Sequence, residues 1–405
     1  MRLKGFLRTY NRGLVLPLVM LAMVVLMLTG LGALRVGQST RMRAIQTAHL
    51  AAAQSAADAG LTRALSEMNF RIDSLEGLDP VLGIESAQSL GNCEAAYSYE
   101  ITKTTFEGGE AYRVQSTGSC GLASKRIAAV VGLVGPFERG VSVLRGISLK
   151  SGAVVDTYNV EPGEDLAVIG TMGTGASEIR IAPGAKIKGN VAIGYGGDPD
   201  TVVDYVYRSD IEGDIYTDSV QVDMPPVSVP ESMGLLPSAG TLSGSQTIQK
   251  SGRYKDIRVN QGDIVTIDGP VTLYVSGDSI LDNSAQIQIN DANPDASLTL
   301  YLGGDLAMKN GGIINNLTKD ANRLKIYGLP STRKVVLHTA GSFYGAIYAP
   351  SADVYSMNSL DFWGSVASKS FSQAAKGNIH FDGSLRQVGE DDPGRYLAVK
   401  RWSEE

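Results

Sequence analysis

Residues 271–283 read VTLYVSGDSILDN, and 27 residues later residues 298–310 read LTLYLGGDLAMKN. The threonine, leucine, tyrosine, glycine, aspartate and final asparagine columns agree between these two copies. A weaker third copy, VVLHTAGSFYG, begins at Val335 and places His338 in the tyrosine column. Short apolar strands of this kind cannot bury a face alone, and they become stable when successive copies stack on one another.

A shorter pattern recurs in the same region: glycine, any residue, then isoleucine or valine followed by alanine, tyrosine or histidine. It occurs at Gly189, Gly213, Gly345, Gly364 and Gly377. The glycines are expected to supply left-handed corners, and asparagines such as Asn283 and Asn310 are expected to stack at those corners. The sequence therefore predicts a right-handed parallel β-helix, a solenoid, with a β-sandwich as the alternative architecture.

Composition changes along the chain indicate the domain boundaries. Residues 224–238 contain four prolines and predict an extended crossing, which separates a first solenoid part at 139–223 from a second at 239–388. Residues 71–138 contain three strand-like runs and predict a small antiparallel meander. The last residues, 389–405, are predicted to be a polar tail. The fold class is thus mainly β with a long N-terminal helix.

Residues 14–34, LVLPLVMLAMVVLMLTGLGAL, contain no charged side chain. As a helix this run is about 30 Å long, which matches the hydrocarbon core of a bilayer. The leader 1–13 is basic and has no acid, which favours a cytoplasmic N-terminus with the body outside. A cleaved signal peptide is the competing interpretation, but the run is long for a signal core and no small-residue cleavage site follows it.

The helical pattern continues to about residue 70, so residues 14–70 are predicted to form one transmembrane and extended helix. Thr29, Ala33 and Gly37 stack at intervals of four and form a surface on which another helix can approach closely. Further along, one helical face carries small and apolar residues with a histidine as a spacer: Met42, Ile45, His49, Ala52, Ala56 and Ala59. So thin an alanine stripe needs neighbouring helices to form a core.

Charge and cysteine content exclude some classes of function. The net charge of −6 argues against nucleic-acid binding, because no basic surface would neutralise a phosphate backbone. The two cysteines, Cys93 and Cys120, are expected to form one disulfide if the body lies outside the cytoplasm, with two unrelated buried thiols as the alternative. Such a bridge stabilises a domain by roughly 3–4 kcal/mol. No Cys/His cluster is present to bind a structural zinc ion.

The basic leader ends in Arg12-Gly13, the apolar run starts at Leu14, and AAAQSAADAGLTRAL follows at 51–65. This N-terminus resembles that of PilX-type minor pilins, which belong to type IV pilus and related secretion systems. The resemblance implies that prepilin peptidase cuts between Gly13 and Leu14, and that a small sheet covers the second half of the helix. Leu18 stands where major pilins carry glutamate, which favours a minor, assembly-associated role.

Three segments of the second part, GAIYAP at 345–350, GSVASKSF at 364–371 and NIHFDGSL at 378–385, carry a second resemblance. They are similar to the closing segments of an uncharacterised family of glycine-rich β-solenoid domains that commonly follow PilX-type N-termini. This resemblance covers most of residues 144–385 and implies no chemistry. It strengthens the interpretation of the chain as a pilus protein.

Candidate catalytic and metal-binding residues are few, and each has a simpler structural explanation. Asp278 and Asp305 could stack as the carboxylate pair of a glycoside hydrolase, but both follow glycine at a predicted turn. His380 and Asp382 share a strand face, so their proximity needs no catalytic explanation. Two incomplete calcium-loop patterns are Asp291, Asn293 and Asp295, and Asp198, Asp200 and Asp204. The sequence predicts no catalytic residue, cofactor or bound metal.

These observations predict a non-enzymatic minor pilin-like protein in a bacterial inner membrane, crossing it once. Other pilins or assembly proteins are the expected partners of its helix, and the solenoid would serve assembly or adhesion. The alternative is a membrane-tethered β-helix protein that binds or degrades surface polysaccharide. It requires an exposed groove, for which the candidate aromatic residues are Tyr274, Tyr301, Tyr344 and Tyr348. A third, weaker alternative is a scaffold whose coils stack end to end.

Overall fold

The computed structural model describes residues 15–73, 83–89, 94–106, 109–161, 164, 166–219, 224–386 and 393–404. These residues are mainly β, with one long helix at the N-terminal end. The chain divides into two compact units. The first comprises residues 1–68, 78–132 and 399–405, and the second comprises residues 69–77 and 133–398.

Helix α1 runs without interruption over Val15–Asp73, so the predicted long N-terminal helix is confirmed. By length and composition, the segment Leu16–Arg71 contains a stretch that could cross a membrane, with a mean hydropathy of 2.3. None of that apolar stretch is buried within the protein. Beyond it, the helix buries Ala53, Ala56, Ala64 and Met68, each 0% exposed.

The first unit contains a five-stranded sheet in the order β1-β2-β3-β4-β30. The strands are β1 Gly83–Ser89, β2 Ala95–Phe106, β3 Gly109–Cys120, β4 Ala123–Val134 and β30 Tyr396–Glu404. Strands β1 to β4 pair antiparallel in chain order. The predicted meander is therefore present, but it has four strands in succession and gains a fifth from the C-terminus.

The prediction of a polar tail at 389–405 is wrong for β30 (Tyr396–Glu404). Leu397 in this strand is 7% exposed, and Ser403 Oγ donates a hydrogen bond to the Ala128 carbonyl at 3.5 Å. The charged residues of the segment made it look like a polar tail, although apolar and polar residues alternate in it as they do in a strand. A sheet edge on which one face is solvated accommodates such a sequence.

The second unit contains strands β5 to β29, here called the parallel body. Its first part holds β5 Val141–Val143, β6 Ile147–Leu149, β7 Val154–Tyr158, β8 Ala167–Thr171, β9 Ile179–Ile181, β10 Lys186–Ile187, β11 Asn190–Ile193, β12 Val203–Tyr205 and β13 Ile215–Thr217. Its short helices are α2 Pro199–Val202 and α3 Glu231–Gly234, with 3-10 turns at Arg208–Asp210, Ala321–Arg323 and Gly383–Arg386.

The second part of the parallel body begins after residue 240. Its strands are β14 Thr241–Leu242, β15 Gln246–Ile248, β16 Gly252–Tyr254, β17 Asp256–Val259, β18 Ile264–Ile267, β19 Pro270–Val275, β20 Ser279–Leu281, β21 Gln286–Ile289, β22 Ser297–Leu302, β23 Leu306–Met308, β24 Ile313–Asn316, β25 Leu324–Gly328, β26 Lys334–His338, β27 Gly341–Met357, β28 Leu360–Gln373 and β29 Ile379–Asp382.

Strands of the parallel body form three rows, and every pairing within a row is parallel. The first row runs β16-β19-β22-β25-β27-β28-β5-β8-β11-β13. The second runs β14-β17-β20-β23-β26-β27-β28-β6-β9-β12. The third contains β15-β18-β21-β24 and β27-β28-β29-β7-β10. Parallel pairing does not fit the alternative β-sandwich, whose sheets are antiparallel.

Spatial order in these rows differs from chain order. The late strands β28 and β29 pair with the early strands β5, β6 and β7. We call this junction between residues 360–382 and 139–159 the seam. The rows therefore begin near residue 241, reach the seam at 382, continue from 141 and finish at 217, so the chain enters and leaves the parallel body in the middle of the stack.

Aligned aliphatic side chains form the core and continue across the seam. One column of the first row runs through neighbouring positions Leu273, Leu300, Ile326, Ile347, Val366, Val141, Ile169 and Val191. All eight side chains are 0% exposed. Full burial of a side chain of this size contributes roughly 1.5–3 kcal/mol, so the column is a main source of stability.

The 27-residue repeat is confirmed by the strand register, because Leu273 faces Leu300 and Tyr274 faces Tyr301. The third copy predicted at Val335 is wrong. The strand that continues the row is β25, where Tyr327 faces Tyr301, whereas Val335 faces Leu306 in the second row. Sequence similarity between VVLH and the first two copies reflects a shared strand pattern and not a shared position.

Candidate functional site

The first half of α1 presents apolar side chains on all sides. Leu21, Leu26 and Leu31 are 68%, 70% and 50% exposed. Thr29 Oγ1 donates to carbonyls of its own helix, Val25 and Leu26, both at 3.0 Å. The hydroxyl is therefore satisfied within its own helix and needs no hydrogen-bond partner from a neighbouring helix. The half-helix therefore has the surface of a segment whose surroundings are lipid or other apolar helices.

Thr29, Ala33 and Gly37 lie exposed in α1, where the sequence predicts a helix-packing surface. A Cβ atom added at Gly37 would meet nothing within 4 Å, and the same is true at Gly32. The described part of the chain therefore does not explain why these positions are small. A closely approaching helix from another chain would explain it, because small residues allow helix backbones to come together.

The second half of α1 packs with its alanine and glycine face on the antiparallel sheet of the first unit. A Cβ atom added at Gly118 in β3 would lie 2.0 Å from the Ala53 carbonyl oxygen, so strand and helix backbones nearly touch. The predicted apolar face is only partly correct. Ala56 is buried, but Met42 and Ile45 are 59% and 40% exposed, because the sheet does not extend that far along the helix.

The predicted processing and disulfide residues remain predictions. Gly13 and Leu14 lie outside the described residues, and so does Cys93. Cys120 ends β3 and is buried, at 8% exposure, in a cluster with Ala53, Ala56 and Ala95. His49, predicted to be a spacer, lies beside the Gly121 turn, where an added Cβ atom would be 2.9 Å from its Nδ1.

The aromatic groove predicted for a polysaccharide-binding protein does not form from the residues nominated for it. Tyr301 and Tyr348 are 4% and 0% exposed. They pack with Tyr327 and with Val227 of the proline-rich crossing, and Met224, Val229 and Tyr274 pack against the same cluster. Tyr348 donates its hydroxyl proton to the Pro225 carbonyl at 2.7 Å. The crossing therefore covers the tyrosine column.

The aspartates considered as a catalytic pair are structural corner residues. Asp256 Oδ1 accepts from the Asp278 backbone N–H at 3.2 Å, and Asp278 Oδ1 accepts from that of Asp305 at 3.1 Å. Asp305 Oδ1 in turn accepts from the backbone N–H groups of Arg333 and Lys334, both at 2.9 Å. Each carboxylate thus binds the corner of the next repeat.

Asn283 and Asn310 lie at left-handed corners, as the sequence predicts. Asn283 and Asn310 have φ angles of 53° and 47°, which is the left-handed conformation that asparagine tolerates. Asn310 Nδ2 donates to Asp282 Oδ1 of the preceding repeat at 2.7 Å. The Asn310 side chain thus holds two neighbouring corners together.

Side chains of the two incomplete calcium patterns satisfy local backbone groups. Asp198 caps α2, accepting from the Asp200 N–H at 3.2 Å and from Thr201 Oγ1 at 3.0 Å. Asn293 Oδ1 accepts from the Asp295 N–H at 3.0 Å. Among the described residues, no group of three or more His, Cys, Asp or Glu side chains could hold a metal ion.

The seam gathers ionisable and aromatic side chains that the repeats do not contain. His380 Nδ1 lies 2.5 Å from Asp156 Oδ1, and its ring stacks on Trp363 with centroids 3.8 Å apart. Trp363 also stacks on Tyr344 at 5.7 Å and meets Tyr158 edge-on at 5.1 Å. Tyr344, Trp363 and His380 therefore stack along the row, and the edge of Tyr158 packs against Trp363.

Asp382 is the buried polar centre of the seam, at 1% exposure. It accepts hydrogen bonds from the Tyr158 hydroxyl at 2.9 Å, from Asn159 Nδ2 at 3.1 Å and from Ser384 Oγ at 2.7 Å. Burial, and then the negative charge of Asp382, raise the pKa of Tyr158 above its ordinary value. His380 and Asp382 do not pair with each other. His380 contacts Asp156, and Asp382 bonds to Tyr158, so both side chains hold β29 against β7.

The sequence indicated the segment 378–385 as special but not its partners, Asp156, Tyr158 and Trp363. Asp156 lies 224 residues from His380 in the chain and belongs to no repeat. The sequence feature that could have indicated the seam is a cluster of polar residues at the end of the repeats: His380, Asp382 and Ser384. Such a cluster indicates a special end position, but it does not identify the strand that meets it.

The second part of the parallel body matches a known family model. The family model described as Domain of unknown function (DUF7305) matches residues 235–388, which hold the second part of the parallel body. No curated protein matches the chain. Among solved structures, the competence-associated pilin ComZ from Thermus thermophilus aligns over 88% of this chain and 98% of its own, at 12% identity. Its TM-score of 0.24 is too low to establish a shared fold.

Proposed function

We propose that this chain is a non-enzymatic, membrane-anchored minor pilin-like protein of a type IV pilus or a related secretion system. The observation that carries the proposal is the division of α1 into two halves. Residues 16–34 expose apolar side chains on every side, while Ala53 to Met68 pack against an antiparallel sheet. A helix of this kind inserts its first half into a membrane and presents a folded domain from its second half.

In this proposal the helix associates with helices of other pilins. Thr29, Ala33 and Gly37 form the contact, because small residues let two backbones approach and gain dispersion contacts in an environment without a hydrophobic driving force. The N-terminus stays cytoplasmic and the two compact units lie outside the cytoplasm. Cleavage between Gly13 and Leu14 would release the leader before assembly.

We further propose that the three parallel rows wind as a right-handed β-helix. Support comes from the regular alternation of the rows along the chain and from the continuous aliphatic column. At a strand spacing of about 4.8 Å, the ten strands of the first row give a stack about 43 Å long. Such a rod would act as a spacer or adhesive surface presented by the anchor.

The absence of enzymatic activity is part of the same proposal. Asp278 and Asp305 bind backbone corners. Of the tyrosines nominated for a sugar groove, Tyr274, Tyr301 and Tyr348 pack in the cluster with the crossing, and Tyr344 stacks on Trp363. Neither set offers a substrate the paired carboxylates or the exposed aromatic faces that glycoside chemistry requires. Partners are therefore expected to be proteins of the pilus machinery and the membrane.

Two variants of α1 test the proposal, one with a leucine on the small-residue face and one with a leucine elsewhere on the helix. Gly37→Leu enlarges the small-residue face, and Gly32→Leu adds the same atoms about 140° around the helix. Apart from their own helix backbone, neither added Cβ meets an atom of the described residues within 4 Å, so both variants should fold. We expect Gly37→Leu to reduce copurification with other pilins at least about tenfold, a loss of about 1.4 kcal/mol.

Gly32→Leu should copurify and support piliation like the unmodified chain. Both variants are compared at matched membrane abundance, measured by immunoblot of the membrane fraction. Equal copurification of the two variants with pilus proteins, together with normal piliation, would contradict the proposed helix contact.

A further inference from the structure

The two tips of the parallel body have opposite charge. One tip, here called the acidic tip, consists of the outermost strands β12 and β13 and the turns around them, residues 195–217. Five of its acidic residues are exposed: Asp198, Asp200, Asp204, Glu212 and Asp214. Its one exposed cation, Arg208, is turned back onto the carbonyls of Ile211 and Gly213, at 2.6 and 2.7 Å.

The other tip, here called the basic tip, comprises residues 231–258. Strands β14 and β15 are outermost in the second and third rows, whereas in the first row Ser238 bridges to Arg253 on the outer edge of β16. Lys250 and Lys255 are exposed there and make no ion pair among the described residues. Arg258 lies 3.9 Å from Asp256, which is its counter-charge, and Glu231 is the other acid. The tips therefore attract each other between molecules, most strongly at low ionic strength.

Corresponding corners of the two tips carry the opposite charges. Glu212 and Asp214 lie between Ile211, which pairs with Ile187 of the third row, and β13 of the first row. Lys250 lies between β15 of the third row and β16 of the first row. Both sets therefore occupy the same edge of the stack. In the first row residues 238–240 already pair with β16, so a second molecule would meet the edges of β14 and β15. The Lys250 corner, which adjoins β15, would then face the Glu212 and Asp214 corner of that molecule.

The acidic tip also exposes apolar surface. Tyr195, Val206 and Tyr207 are 61%, 55% and 60% exposed, and Tyr216 of β13 is 39% exposed. Across the described residues, β12 and β13 each pair on one edge only, with β9 and β11. An outermost strand with an unpaired edge is a template for pairing with another chain.

The seam supplies an internal precedent for stacking without chain continuity. Strand β28 pairs in parallel with β5 and β6, although more than 200 residues separate them in the sequence. Strand rows of this protein thus join through edge pairing and side-chain contacts alone. A junction between two copies would use the same parallel geometry.

We propose that the parallel body associates head to tail with a second copy of this chain, the acidic tip of one molecule meeting the basic tip of the next. Such a contact is heterologous and leaves a free tip at each end, so it propagates as a row of molecules and does not close as a dimer. The inference rests on the coil winding proposed above, and it is independent of the membrane helix contact.

The test exchanges charges at the facing corners in the full-length chain, solubilised in mild detergent. Glu212→Lys and Lys250→Glu each place like charges at the contact, so each variant alone should associate at least about tenfold more weakly, measured by sedimentation velocity at low ionic strength. An equimolar mixture of the two variants should recover association, because every contact between unlike molecules pairs opposite charges. High salt should weaken the association of the unmodified chain.

Two controls separate this inference from others. Lys309→Glu makes the same charge change in the middle of the stack, at an exposed position, and should leave association unchanged. Gly37→Leu should also leave it unchanged, because the contact lies outside the helix; loss of pilin copurification in that variant is a separate result. Association that is insensitive to both corner variants, or a mixture that fails to recover it, would overturn the head-to-tail contact.

Discussion

Neighbouring strands in the second part of the parallel body are joined differently from those at the seam. Between β19 and β22 identical residues face each other: Thr272 faces Thr299, and Tyr274 faces Tyr301. Between β29 and β7 the partners are unlike: His380 meets Asp156 and Asp382 meets Tyr158. Both junctions keep the aliphatic column, but only the seam adds a buried polar network.

The difference teaches how a repetitive body selects one arrangement. Identical side chains pair equally well with any copy of themselves, so the repeats alone do not specify which strands meet. Complementary polar groups tolerate only one register, because a shifted strand would leave Asp382 buried without donors. We therefore expect the repeats to supply most of the stability and the seam to fix the order of the strands.

The largest loss of stability is expected from adding a methyl group where strands β27 and β28 approach most closely. Gly364 in β28 has a φ angle of 143°, and a Cβ atom added there would lie 1.9 Å from the Gly345 carbonyl oxygen. Gly364→Ala should destabilise the protein by about 4 kcal/mol or more, because backbone must move on both strands. Denaturant unfolding of the solubilised chain measures this change.

Gly146→Ala is the matched control for Gly364→Ala. At Gly146 the nearest atom to an added Cβ is the Glu178 carbonyl oxygen, 3.8 Å away, which is ordinary contact. The control should change the unfolding free energy by less than about 1 kcal/mol. Comparable losses in the two variants would show that the close approach of β27 and β28 is not what requires glycine.

The next largest effect is expected at the seam. Asp382→Ala removes the buried acceptor that the half-buried Tyr158 and Ser384 and the exposed Asn159 share. We expect a loss of about 3 kcal/mol and faster hydrogen exchange in β7 and β29 than in β19 and β22. Asp263→Ala, which removes a single hydrogen bond from Ser245, is the control and should cost less than about 1 kcal/mol.

A smaller effect with a distinctive pH dependence is expected for Tyr158→Phe. Loss of the hydrogen bond to Asp382 should lower the unfolding free energy by about 2 kcal/mol at neutral pH. The pKa of Tyr158 is raised in the folded protein by burial and by Asp382, so the unfolded chain loses this proton first as pH rises. Its stabilising contribution is therefore complete below about pH 10 and declines above it.

The unmodified protein should consequently lose stability above about pH 10 more steeply than Tyr158→Phe, by up to about 1.4 kcal/mol per pH unit. Burial also raises the pKa of Tyr396 to about 12, and this contribution is common to both proteins. Unfolding curves collected from pH 8 to 11 give the comparison. Parallel pH profiles would show that the Tyr158 hydroxyl is not held by the seam.

The smallest effect is expected where the crossing covers the tyrosine column. Tyr348→Phe removes the hydrogen bond to the Pro225 carbonyl and should cost about 1 kcal/mol. Limited proteolysis within residues 224–238 should become faster while cleavage elsewhere stays constant. Tyr195→Phe, at a hydroxyl on an exposed ring, is the control and should leave both measurements unchanged.

Repetition in the sequence made the second part of the parallel body predictable. The columns of residues 271–283 and 298–310 gave the register of β19 and β22, and Asn283 and Asn310 indicated the left-handed corners. The copy after these was missed because β25 reads LKIYG, with lysine in the threonine column, while VVLH at Val335 looks more similar. Strand pattern alone does not distinguish the rows.

Contacts between distant segments were not predictable from one sequence. The seam joins residues about 224 positions apart, and nothing local to Asp156 or Tyr158 indicates their partners. Strand β30 was missed for the same reason, since its place beside β4 depends on the rest of the chain returning to the first unit. The covered tyrosines also depend on such a contact, because the crossing that covers them precedes them in sequence.

Entry and exit of the chain in the middle of the stack has a consequence for how the protein can vary. Both tips are built from segments inside the sequence, residues 195–217 and residues 231–258. Whole repeats can therefore be inserted or deleted at either tip without displacing strands β5 and β29, where the body connects to its anchor. Related proteins with longer or shorter parallel bodies could arise in this way and keep the same attachment point.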